Sequence, residues 1–60
     1  MYEKIEKLLK KHGITAYALS KATDISTAAM TDYKKGRSKP SVDTLKKIAD
    51  YFGVTVDYFL

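Results

Sequence analysis

The sequence predicts an all-α fold, a compact bundle of five short helices, and three observations carry that prediction. Apolar residues recur at i, i+3 and i+4 in short segments, which sets one inward stripe along a helix in each. Glycine or proline, at positions 13, 36, 40 and 53, punctuates those segments. No run alternates apolar with polar residues as a half-buried strand would, and no heptad is sustained long enough for a coiled coil.

Residues 2–12 form the first helix, with Ile5, Leu8 and Leu9 on one face and lysine and glutamate on the other. On the polar face Glu3 with Lys7 and Glu6 with Lys10 make i, i+4 pairs, each worth about 0.2–0.5 kcal/mol. Gly13 supplies a left-handed end, and His12 beside it is expected to face the last-turn carbonyls. Thr15 caps a second helix from residue 16 to about residue 23, anchored inward by Leu19. Residues 23–26 form a turn. Ser26 then caps a third helix, from 27 to about 35, whose buried side carries Met30 and Tyr33, and Gly36 closes it. Residues 37–40 are a loop, because Pro40 lacks an N–H and pushes Lys39 out of helical conformation. The fourth helix begins at Ser41. Val42, Leu45, Ile48, Ala49 and Phe52 recur at helical spacing, Asp43 suits the positive helix start, and Gly53 ends the run. Thr55 is expected to cap a last short helix, residues 56–60, that returns Val54, Val56, Phe59 and Leu60 to the core.

Sixty residues make one domain, and a domain this small buries only about 60% of the surface its unfolded chain exposes. Without cysteine, no disulfide or thiolate site staples it, which fits a reducing cytoplasm. Eleven Lys and Arg against seven Asp and Glu leave a net charge of +4, which favours polyanionic partners. No apolar run approaches the roughly 20 residues that span a bilayer, and the start lacks the order of a signal peptide. The expectation is a soluble, cytoplasmic protein with no membrane association. Its aromatic and aliphatic ending, Phe59 and Leu60, suggests either a domain cut from a longer protein or a dimer surface.

A short helix, a tight turn and a second short helix with anchors at Leu19, Ile25, Met30 and Tyr33 fit a helix-turn-helix over about residues 15–35. The whole chain, domain 1–60, resembles the phage repressor and Cro type, also called the xenobiotic-response-element type. IEKLLKKHGITAYALSKATDIS is similar to that family's first two helices and turn. MTDYKKGRSKPSVDTLKKIADYFGVTVDYFL is closer still, with the glycine, the proline, the LxxIAxxxGV segment and the VDYFL ending in register. The resemblance implies a five-helix lambda-repressor-like fold whose third helix lies in the major groove of DNA. Four positions depart from the family pattern. Ala16 stands where glutamine usually makes a phosphate or base contact, Ser20 where a small alanine is usual, and Lys34 where many members have glutamate. Asp24 occupies the usual glycine of the turn, where a left-handed backbone costs a non-glycine residue roughly 1 kcal/mol.

Carried onto this chain, the resemblance turns Thr27, Ala28, Thr31 and Asp32 toward base edges. The threonines offer hydroxyls and methyls, Ala28 an apolar contact, and Asp32 an acceptor for cytosine N4 unless it is bridged to Lys35 or another cation. No Arg, Gln or Asn lies on this helix, so bidentate readers of guanine and adenine are absent. Phosphate contacts are expected from Ser26, from Tyr17 through its hydroxyl, and from Lys34, Lys35, Arg37, Ser38 and Lys39, which set four positive charges in six residues. Ser41 is a further donor, and Lys10 or Lys11 stands within reach of a neighbouring phosphate, while Lys46 and Lys47 read as solvated. Tyr2, Tyr51 and Tyr58 have no assigned role.

The function expected is sequence-preferring binding of double-stranded DNA by a prokaryotic or phage transcription regulator, a repressor, acting as a symmetric homodimer on a palindromic operator. Half-sites would lie about one helical turn apart. A further C-terminal domain is expected in the full-length protein. The alternative is a protein-interaction module of antitoxin or antirepressor-target type, using Tyr58, Phe59 and Leu60. An enzyme is the poorest reading: one histidine, no cysteine, no paired carboxylates by an evident pocket and no glycine-rich phosphate loop leave no catalytic set, and no cofactor or metal is called for.

Overall fold

Hydroxyl groups start three of the described helices, and left-handed residues stop the four α-helices. A computed structural model describes residues 2–60. It contains α1 (Tyr2–His12), α2 (Ala16–Thr23), α3 (Thr27–Lys35) and α4 (Val42–Phe52), followed by a terminal 3-10 helix (Val56–Phe59). Thr15 Oγ1 accepts from the Ala18 amide at 3.1 Å, Ser26 Oγ from Ala29 at 3.1 Å and Ser41 Oγ from Thr44 at 3.2 Å. Each satisfies an amide that has no intrahelical partner.

The four α-helices share one ending. Gly13, Asp24, Gly36 and Gly53 take left-handed conformations, and the residue after each donates its amide to the carbonyl five positions back. Those bonds are Ile14 to Leu9 at 3.0 Å, Ile25 to Ser20 at 3.1 Å, Arg37 to Asp32 at 2.9 Å and Val54 to Ala49 at 3.0 Å. Such an ending satisfies free carbonyls and turns the chain sharply, and it commonly brings an apolar residue back onto the helix. Ile14, Ile25 and Val54 do pack against the core, whereas Arg37 is exposed.

Ile5, Leu8, Leu9, Leu19, Met30, Leu45, Ile48, Ala49, Phe52 and Phe59 form one buried cluster, with Tyr33 and Val56 packed partly against it. Helix α2 is central: α3 packs on one side of it and α4 on another, while the 3-10 helix closes over α1 and α4. Among the described residues no helix is long and apolar enough to cross a membrane.

Several expectations are corrected. The last element is a single 3-10 turn, and Thr55 makes no side-chain cap bond to it. Leu60 is 72% exposed and Val42 65% exposed, because Val42 sits on the first turn of α4, capped by Ser41 and directed away from the cluster. Phe59 is 2% exposed, so the proposed partner surface at the chain end keeps only Tyr58 and Leu60. His12 lays its ring against Phe52, with centroids 5.1 Å apart, in place of the expected carbonyl contact. The Glu3–Lys7 and Glu6–Lys10 pairs do not close, since long solvated side chains gain little from pairing. Thr23, given both as the end of the second helix and as the start of the turn, is the last residue of α2 and is buried, its hydroxyl donating to the Leu19 carbonyl at 2.7 Å.

Candidate nucleic-acid interface

A helix that is to enter a groove must be held firmly from behind and left bare in front. Met30 alone is buried on α3, and its neighbours in the core include Leu19 of α2. Between these helices Ser20 is buried, and its hydroxyl donates to the Tyr17 carbonyl at 2.7 Å, so the side chain is small enough to pack and has no unmet polar atom. The turn is closed by Asp24 at φ 60°, ψ 27°. That is the left-handed conformation which the position was expected to require.

In front, Ser26, Thr27, Ala28 and Thr31 are exposed and Asp32 is half-buried. Ser26 accepts the cap bond from Ala29, which leaves its hydroxyl proton free for an outside acceptor such as a phosphate oxygen. The Thr31 hydroxyl donates to the Thr27 carbonyl at 3.0 Å. Asp32 is bridged as the sequence allowed, but to Arg37 and not to Lys35. The Arg37 Nη1 to Asp32 Oδ1 distance is 3.9 Å, with side chains 67% and 44% exposed respectively, a loose and solvated contact.

Lys34, Lys35, Arg37, Ser38 and Lys39 are all exposed beside α3, and the buried Pro40 ties down the far end of the segment. Tyr17 lies at the start of α2 with its ring exposed, and the Lys21 ammonium sits 5.4 Å from the ring centroid. The structure adds two residues to those the sequence singled out. Lys21 stands with Asp24 and Ser26 around a hollow beside the turn. Tyr2 comes from the chain start to share a hollow of about 260 Å³ with Tyr17, Thr27, Thr31 and Lys34, over Ala16 and Met30. The Tyr2 phenol is pushed up from its usual pKa by burial and then by Glu6, so it remains a proton donor at neutral pH. Lys21 had a local signal, its i, i+4 spacing from Tyr17. Tyr2 had none, because only folding brings it beside α3.

With its second helix locked against the first and presented to solvent, the pair α2 and α3 is a helix-turn-helix, and with the cations alongside it the class of protein is a DNA-binding domain. More particularly, the chain belongs to the Cro/C1-type helix-turn-helix DNA-binding domain family, whose model matches residues 4–58. It is similar to the HTH-type transcriptional regulator DdrOP3 of Deinococcus deserti, with 32% identity over 54 residues, covering 90% of this chain and 42% of that protein. The chain therefore spans less than half of that relative's length. No solved structure matches the chain.

Proposed function

We propose that α3 enters the major groove of duplex DNA while residues 34–39, Ser26 and Tyr17 hold the flanking phosphates, and that the protein acts through this contact as a transcriptional repressor. The observation that carries this reading is the odd ending of α3. Three helices return an apolar residue to the core after their left-handed cap; α3 instead projects Arg37 into solvent, in a segment with Lys34, Lys35 and Lys39. Stability alone favours an apolar residue there, and phosphate binding favours the cation. Thr27, Ala28 and Thr31 then meet base edges. Asp32 does so only by leaving Arg37. Resemblance to a named transcriptional regulator supports the regulatory role, and the greater length of that relative supports a further domain in a longer protein. Binding as a symmetric homodimer to a palindromic operator would place two copies of α3 in successive turns of the groove.

Titration of a labelled duplex at several salt concentrations tests the reading. Affinity is expected to fall steeply with salt, and Lys35→Ala to reduce the slope of log K against log salt by about 0.9, one phosphate contact. A chain that binds no duplex, or binds with no dependence on salt, would overturn it.

A further inference from the structure

The exposed side of α3 carries no arginine, glutamine or asparagine, the side chains that pair with guanine or adenine through two bonds. Thr31 has its hydroxyl proton on the Thr27 carbonyl, Ser26 keeps one free hydroxyl proton that suits a phosphate, and Asp32 lies in loose contact with Arg37. What stays exposed between them is the Ala28 methyl, the Thr31 methyl and the Thr27 side chain, the one residue there whose hydroxyl makes no bond within the protein among the described residues. Thr27 and Thr31 also wall the hollow whose floor includes Ala16 and Met30, so the methyl-bearing surface continues inward from the helix. Ala16 adds no polar group of its own to the hollow, whereas Tyr2, Tyr17 and Lys34 bring polar ends to its lining.

Among the four bases only thymine offers a methyl group in the major groove. We propose that this face selects its sites chiefly by the C5-methyl of thymine, packed against Thr27, Ala28 and Thr31, in place of bidentate hydrogen bonding. The inference rests on the docking of α3 in the major groove stated above. Methylated cytosine carries the same methyl beside an N4 amino group, so it offers a second way to present that methyl to the same face.

The experiment begins with selection of bound sites from a random duplex pool, followed by replacement of each selected thymine by deoxyuridine, which removes the methyl and keeps the pairing. At contacted positions each replacement is expected to weaken binding about four-fold, the equivalent of one buried methylene-sized group. Thr31→Ser and Thr27→Ser keep the hydroxyl and lose the methyl, so at the position each residue touches the thymine-to-deoxyuridine ratio is expected to fall toward one. Placing cytosine paired with guanine at the same position removes the methyl, and 5-methylcytosine restores it, so 5-methylcytosine is expected to bind more tightly than cytosine there. If salt-dependent binding persists but deoxyuridine matches thymine everywhere, the methyl readout is wrong and the docking stands. A deoxyuridine loss that both serine variants leave unchanged assigns the preference to DNA shape and overturns the proposal, as does equal binding of cytosine and 5-methylcytosine. If no duplex is selected at all, the docking reading itself falls.

Discussion

Helices α3 and α4 begin and end alike and differ in what lies between. Each starts on a serine whose hydroxyl accepts from the third amide of the helix, and each stops on a left-handed glycine whose amide reaches two carbonyls. Between those ends α4 buries Leu45, Ile48, Ala49 and Phe52, whereas α3 buries Met30 alone. The difference separates two ways of fixing a helix. Helix α4 is held by a wide apolar stripe and would stay in place with mediocre caps; α3 is held by its two ends and one central anchor, which leaves its exposed side open to a ligand. A helix with so little buried stripe would be marginal alone, so its order depends on the rest of the domain.

The largest expected effect tests that anchor. Met30→Ala should destabilise the domain by about 2–5 kcal/mol, the usual cost of emptying a fully packed site. A domain of this size has little reserve, so the variant should be partly unfolded in a thermal melt. A small shift, of the size expected for a surface substitution, would mean that the caps suffice to hold α3.

A smaller effect is expected at the turn that feeds α3. Asp24 is the one helix end that uses a side-chain-bearing residue in the left-handed region, and Gly13, Gly36 and Gly53 show what the other three use. Asp24→Gly should relieve up to about 1 kcal/mol, or roughly 4–8 °C in Tm. An unchanged or lower Tm would mean that aspartate's tolerance of this conformation, together with the greater freedom of glycine in the unfolded chain, offsets the strain.

The smallest change in stability, and the sharpest in binding, is expected at Asp32→Asn. The Asp32–Arg37 contact is long and exposed, so its loss should leave Tm almost unchanged. It should release Arg37 and remove a negative charge from the exposed side of α3, so on the proposed docking affinity for duplex should rise and the salt slope should steepen by up to about 0.9. Weaker binding would show instead that Asp32 itself accepts from a base.

The candidate interface was legible in the sequence as a set of residues but not as a set of partnerships. Thr27, Ala28 and Thr31 do share the exposed side of α3, and the basic residues 34–39 do follow it at the surface. That Asp32 would meet Arg37 and not Lys35 depended on the turn at Gly36, which folds the chain back so that the Arg37 amide bonds the Asp32 carbonyl. Helical spacing alone pointed to Lys35. Tyr2 was invisible as part of this surface for a simpler reason: its neighbours there are more than a dozen residues away in the chain.

The limits of the α-helices were determined by the sequence itself, because capping hydroxyls, left-handed glycines and the proline act within one turn of where they stand. The stripe of α4 and the exposed run of cations were local in the same sense. Tertiary structure alone decided that Val42 and Leu60 face solvent while Thr23 and Pro40 are buried, and that His12 packs on Phe52. It also made the last turn a 3-10 helix and brought Tyr2 to α3. Each of these depends on which elements lie across from one another, and that is fixed only when the separate apolar stripes close on a single core.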